Sequence, residues 1–367
     1  MATRLWVHQA NHPQRARRAK RCMPLSTHTD LPIKPLRAEL LLRASRHRLA
    51  AVLARGLQQA EVPHDARVVL SVSGGGDSMA MLVLMAALRD RTDGGLASMA
   101  VVAIDHAIRA ENAEEARQAI ALARHLGVLG AEVRRVEVAR SGNTLDAARN
   151  ARLAAVRDFA ASCNATHVLL AHQADDRAEG LLLALGRGAG INAAASLLPA
   201  RTLSEGPGAG LVLCRPLLAV RREELRAFLR EMDVPWRDDP SNAMRARGSM
   251  RGDPSIAALV DGIATGAGDF LEEAAQLLAL RENLLDQALP AGAVAIARAR
   301  FDALPRALHA QALIRLVRHA GSIASRVTID AAVASMASAD RTPRQYGCRS
   351  GVVLMVDARE VRALTSR

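Results

Sequence analysis

The sequence predicts an α/β fold, a doubly wound parallel sheet followed by a mainly α-helical C-terminal region. Three observations predict it. Short apolar runs alternate with helix-period segments between residues 67 and 232, the pattern of strand–helix–strand units that build parallel sheets. A glycine-rich turn, Ser73-Gly74-Gly75-Gly76-Asp77-Ser78, joins the first run to a buried helix. From about residue 255 the chain becomes Ala- and Leu-rich with a helical period.

The elements follow in order. Residues 67–72 are a buried strand and 79–88 a buried helix; 98–105 are a second strand. Between 111 and 126, apolar residues at Ala113, Ala116, Ile120, Ala123 and Leu126 share one helical face, and Gly127 supplies the stop. Residues 133–138 alternate as a strand, and Asn143 or Thr144 can cap a helix running to about Ala161. Residues 166–171 form a strand, 179–185 a helix, 186–210 a long glycine-rich loop and 211–215 a fifth strand. Residues 223–232 put Leu225, Phe228, Leu229 and Met232 on one helical face. Helices then continue to about Ala337, and residues 344–362 read as a hairpin turning at Ser350-Gly351.

Composition sets the bounds. The 367 residues, half of them apolar, suffice for two domains, and no apolar run reaches the length of a membrane span. Cys22, Cys163, Cys214 and Cys348 are scattered without a C-x-x-C pair, which suits a reducing cytosol and argues against a zinc or iron–sulfur site. The net charge of +12 suggests a polyanionic partner. Residues 1–37 hold +7 of it and lack an apolar core segment, so they read as a basic, disordered extension rather than a secretory signal. Such a head also fits an RNA-binding arm, a transit peptide or an over-long start. With four Phe, two Trp and one Tyr, recognition of single strands must lean on arginine planes and shape rather than aromatic stacking.

The glycine turn carries the chemistry. Strand, glycine turn and helix form the setting in which backbone N–H groups converge on an anion at a helix N-terminus. Ser73, Gly74, Gly75, Gly76 and Ser78 are the candidate phosphate-binding residues. A carboxylate beside a phosphate needs a cation between them, so Asp77 implies Mg²⁺. The chain has only two lysines, Lys20 and Lys34, both upstream of the turn. That excludes the usual lysine-bearing triphosphate loop.

Further constellations follow. Asp105 ends the second strand, where a carboxylate can bind ribose, adenine or Mg²⁺, or simply cap a helix. In His172-Gln173-Ala174-Asp175-Asp176-Arg177-Ala178-Glu179, acids open a helix, and Asp175 and Glu179 stand four apart. They can hold Mg²⁺ or an ammonium group, or act as ordinary N-terminal acids. Arg149 and Arg152 lie one turn apart and can supply phosphate charge in place of lysine. Trp236-Arg237-Asp238-Asp239-Pro240-Ser241-Asn242 leads to Arg245, Arg247 and Arg251, which can grip a polyanion or form a basic linker.

Together these motifs resemble the tRNA(Ile)-lysidine synthase family, within the N-type ATP pyrophosphatases of the PP-loop, adenine nucleotide alpha hydrolase-like fold. The resemblance runs in order over residues 65–252: S-G-G-G-D-S, I-D-H-A-I-R, G-N-T-L-D-A-A-R-N-A-R, A-H-Q-A-D-D-R-A-E, R-P-L-L, and W-R-D-D-P-S-N with R-x-x-x-R. The family pattern has Gly where Ala107 stands, Gln at Arg177, Thr or Ser at Gly180, and Asn at Gly248. The resemblance implies a cytoplasmic ligase using ATP and Mg²⁺. Such enzymes adenylate the wobble cytidine of a tRNA(Ile) with a CAU anticodon and attach L-lysine, releasing AMP and pyrophosphate. It implies catalytic roles for Asp77, Asp175, Asp176 and Glu179, with Asp175, Glu179, Arg247 and Arg251 on the substrates. Residues 38–252 would be the catalytic domain and 253–367 the tRNA-recognition region. The alternatives are another PP-loop tRNA-modifying enzyme, such as a thiolase, and a non-catalytic adenine-nucleotide sensor. The oligomeric state, a homodimer included, stays open.

Overall fold

Strand β1 (Arg67–Val72) lies inside a six-stranded sheet, with β2 (Ser98–Asp105) on one side and β4 (His167–Leu170) on the other, both parallel to it. The computed structural model describes residues 37–90, 98–105, 110–136, 144–187, 198–203, 209–237, 250–266, 268–337 and 342–365. The expected extension, up to residue 36, lies outside them. The sheet order is β3-β2-β1-β4-β6-β5, with β3 at Ala131–Arg135, β5 at Ala200–Thr202 and β6 at Val212–Cys214. The chain builds outward from β1 through β2 and β3, then returns to lay β4 against its other edge. The crevice at the carboxyl ends of β1 and β4 is therefore a topological switch point, where open α/β sheets bind ligands.

Side-chain alternation makes the sheet two-sided. Val68, Leu70 and Val72 of β1, Val101 and Ala103 of β2 and Leu169 of β4 enter one core. That core is covered by α1 (Arg37–Arg46), α2 (Arg48–Gln59), α3 (Gly76–Arg89), α4 (Ala110–His125) and α7 (Arg222–Glu231). Val69, Val102, Ile104 and Val168 face the opposite core, which contains Val156, Phe159 and Ala160 of α5 (Thr144–Ser162). A period of two with both faces apolar is what a parallel sheet buried on both sides requires. Beyond its first turn, helix α3 is apolar all round and buried from Met79 to Ala87 because it packs against α1, α2, α7 and β1.

Helix α6 (Ala174–Gly186) leaves the sheet core and meets the C-terminal region. Its Leu181 and Ala184 pack on Leu271 and Ala274 of α9 (Gly268–Ala288), and α8 (Pro254–Gly266) also lies against it. A further core draws on Leu285 of α9, on α10 (Arg298–Asp302), α11 (Arg306–His319) and α12 (Arg326–Ala337), and on a four-stranded antiparallel sheet. That sheet runs β7-β10-β9-β8, with β7 at Ala295–Ala297, β8 at Arg344–Gly347, β9 at Val352–Val356 and β10 at Glu360–Thr365.

The structure corrects the sequence reading at four places. The loop expected over 186–210 contains β5, which pairs antiparallel with β6, so the sheet is parallel except at this edge. Strand β3 begins at Ala131 rather than Val133. The expected helix over 179–185 starts five residues earlier, at Ala174. In the C-terminal region the hairpin turns at Ser350-Gly351 as expected, both residues having positive φ (54° and 69°). It belongs, however, to a four-stranded sheet completed by β7 and β10.

Candidate active site

The glycine turn leaves β1 and becomes the first turn of α3. Gly74 takes φ +77°, and a Cβ there would lie 2.9 Å from the Glu115 carbonyl oxygen of α4, so only glycine fits without strain. Gly75 is the N-cap and has no side chain to satisfy the helix's leading N–H groups, which leaves that end suited to an anion. The turn is locked from within. Ser78 Oγ donates to the Gly75 carbonyl (2.9 Å) and accepts from the Ser73 amide (3.1 Å), and the two serine hydroxyls lie 3.3 Å apart. It is also clamped from outside. A Cβ on Gly76 would meet the Trp236 indole at 3.2 Å, and the Arg237 amide donates to the Gly74 carbonyl at 3.3 Å. The Trp236 motif thus supports the phosphate loop directly.

Across the crevice, the carboxyl end of β4 leads into α6. Gln173 caps this helix, its side-chain oxygen accepting from the amides of Asp175 and Asp176, while Asp176 accepts from the Gln173 amide. Gln173 is fully buried and lies against Asp77; its Nε2 completes no hydrogen bond among the described residues. Burial pushes the Asp77 carboxyl up to about 6; Arg222 and Arg226 pull it down, and Asp176 adds to the rise.

The three acids of α6 divide. Asp175 belongs to Arg221, which reaches it with Nη2 (2.9 Å) and Nε (3.2 Å), and it also accepts the Arg222 amide at 2.9 Å. Burial would raise its carboxyl, yet these hydrogen bonds hold it below the usual carboxylate range. Arg221 also reaches Asp261 and Thr265 of α8, so Asp175 ties the site helix to the C-terminal region. Asp176 and Glu179 instead converge with Asp77 on Arg222. The guanidinium places Nη2 3.3 Å from Asp176, Nη1 3.3 Å from Glu179 and Nε 3.8 Å from Asp77. Arg251 makes a two-pronged contact with the fully buried Glu179 and lies 3.9 Å from Asp176.

The remaining expected residues lie at the end of β2, on α5 or outside the described parts. Asp105 is buried at the end of β2, with Arg135 Nε 4.0 Å away. Arg152 lies on α5, half-buried and engaged with a partner. The side chain of Arg149, and Ala107, Asp238, Asp239, Arg245, Arg247 and Gly248, lie outside the described residues. Sequence reasoning missed Arg221, Arg222 and the capping role of Gln173. The adjacent arginines opening an acidic, amphipathic helix were the available signal for the first two.

No group of three or more His, Cys, Asp or Glu among the described residues is arranged to hold a metal ion alone. Mg²⁺ commonly needs only one or two carboxylates when nucleotide phosphates supply the rest. Asp77 at the mouth of an anion loop, beside the buried Gln173 amide, fits that mode.

This parallel sheet, glycine turn and switch-point crevice define a PP-loop protein, and residues 46–251 match the PP-loop domain family. Among curated relatives, the tRNA(Ile)-lysidine synthase of Novosphingobium aromaticivorans is 35% identical over 268 residues, 71% of this chain and 78% of that protein. That of Ruegeria pomeroyi is 40% identical over 176 residues, 48% of this chain but 40% of that protein. That of Salinispora tropica is 36% identical over 243 residues, 65% of this chain and 70% of that protein. The chain belongs to the tRNA(Ile)-lysidine synthase family.

Proposed function

We propose that the chain is a cytoplasmic ATP-dependent ligase that forms lysidine on a tRNA(Ile) with a CAU anticodon, using L-lysine and releasing AMP and pyrophosphate. One observation carries this reading. A phosphate-binding loop and an acid-rich helix turn face each other across the β1/β4 crevice, so a nucleotide and a cationic co-substrate can meet there. No helix among the described residues is long and apolar enough to cross a membrane.

The residue roles in this reading are as follows. The N-terminal amides of α3, with Ser73 and Ser78, bind the β and γ phosphates and stabilise pyrophosphate as it leaves. Asp77 would hold Mg²⁺, which would neutralise phosphate charge. The cytidine O2 attacks the α-phosphorus, forming the P–O bond as pyrophosphate departs. The lysine amine then attacks C2 and AMP leaves. Asp176 and Glu179 attract the lysine cation, while Asp175 holds the site helix to α7 and α8. From the sequence motifs, Arg149 and Arg152 are assigned positive charge for the nucleotide and Arg247 a tRNA contact. Residues 253–367 select the tRNA. Mass spectrometry of tRNA nucleosides after incubation with ATP and L-lysine tests the whole reading. Lysidine appearing only when all three are present supports it, and unchanged cytidine overturns it.

A further inference from the structure

Arg222 is the most heavily engaged cation of the crevice. Each of its three side-chain nitrogens meets a carboxylate, two from α6 and one from the phosphate loop. The arrangement is unequal. The contacts to Asp176 and Glu179 are 3.3 Å, whereas that to Asp77 is 3.8 Å and runs through Nε alone. Arg222 is mostly buried and Glu179 wholly so, which strengthens the attraction relative to water. Arg251 is already committed to Glu179, and Arg222 pairs with Asp77 at 3.8 Å, with Arg226 adding a weaker attraction.

A cation bound at Asp77 would sit beside this guanidinium and be repelled by it. We propose that Arg222 is a positioning residue that acts as an internal counter-ion: it gathers Asp77, Asp176 and Glu179 into one cluster and competes with a divalent cation for Asp77. The inference rests on the reading of Asp77 as the Mg²⁺-holding residue. The Nε–Asp77 contact is the one that opens, while the two 3.3 Å contacts keep the side chain anchored on α6. The nucleotide-free site thus disfavours free divalent ions and admits the cation with the triphosphate, whose own negative charge offsets the repulsion.

The test measures Mn²⁺ binding to the nucleotide-free full-length protein by electron paramagnetic resonance, which needs neither tRNA nor turnover. Failure of lysidine formation therefore leaves this result readable. Arg222→Gln removes the competing charge and should tighten Mn²⁺ binding about tenfold or more. Arg222→Lys keeps a charge but loses the planar fork, so it cannot span all three carboxylates; it should tighten binding about threefold, and it decides the matter if the Gln variant does not fold. In the folded variants, the Mg²⁺ concentration for half-maximal ATP-dependent pyrophosphate release should fall in the same order. A merely structural Arg222 would lower the melting temperature and leave Mn²⁺ affinity where it was. Unchanged or weaker Mn²⁺ binding in the folded variants overturns the proposal.

Discussion

Arg251 and Glu179 form a fork-to-fork pair, with Nε 2.7 Å from one carboxylate oxygen and Nη2 2.9 Å from the other. Glu179 is fully buried, and Arg251 and Arg222 both reach it, the pairing that a buried carboxylate requires. The pair joins the acid-rich turn of the site helix to the segment that begins the C-terminal region. Arg251 is thus engaged by Glu179 within the protein, and a structural role is expected of it.

The consequence for Arg251→Ala is a stability loss. Breaking a buried pair can cost 3–5 kcal/mol; Arg251 is 36% exposed and Glu179 keeps Arg222, so about 1–3 kcal/mol is expected. Arg251→Lys should recover only part, because one ammonium cannot reproduce the fork. The salt dependence of tRNA binding should match the parent. If tRNA affinity falls and its salt slope shrinks by about one instead, Arg251 contacts phosphate.

Asp77 should trade stability for function. Its carboxyl is raised from 3.8 to about 6 by burial. Below pH 3.8 both the folded and unfolded states keep the proton, and the group contributes nothing. Between 3.8 and 6 the unfolded chain ionises first, so folding is increasingly penalised; above about 6 the penalty is complete. Asp77→Asn should therefore stabilise the nucleotide-free protein by roughly 2–3 kcal/mol at pH 7 and above. The gain should vanish as the pH falls toward 4. Pyrophosphate release should drop about 10²–10³-fold. Melting curves across this range decide the first claim; a variant less stable than the parent at pH 8 refutes it.

Gly74 offers a test of the loop that leaves the charges untouched. Alanine there adopts an unfavourable positive φ and presses a methyl against the Glu115 backbone at 2.9 Å. The expected cost is about 1–3 kcal/mol. ATP affinity should suffer, because the neighbouring amides move with the loop. Gly186→Ala makes the comparison, since a Cβ at Gly186 meets nothing within 4 Å. If Gly74→Ala melts and binds ATP like the parent, the fit between loop and α4 is not a constraint.

What the sequence revealed was what is local. Residues 67–72 read as a strand and 73–78 as a phosphate turn because apolar run, glycines and apolar helix are contiguous. Asp176 and Glu179 were visible as acids opening a helix. Arg222 was not, because its meaning comes from α7 packing beside α3 and so facing both the loop and α6. The division between Asp175 and its neighbours was hidden for the same reason, being set by Arg221 and Asp261 from other elements. Strands β5 and β7, at three residues each, are too short to show alternation and exist through their partners β6 and β10.

Recognition of tRNA by the C-terminal region is better tested by charge than by truncation. A chain ending at Gly252 would strip Leu271 and Ala274 from Leu181 and Ala184, and Asp261 from Arg221. It should lose stability whatever it does with tRNA. Arg349, in the turn between β8 and β9, and Arg359, just before β10, are exposed beyond opposite ends of β9. Replacing each by glutamate leaves the hydrophobic cores intact. If this region meets the tRNA backbone through either residue, that variant should bind tRNA more weakly, with a salt slope smaller by about one for each phosphate the residue had neutralised. ATP binding and melting should stay as in the parent. Two stable variants with parental tRNA affinity at low and moderate salt would move the interface away from this sheet.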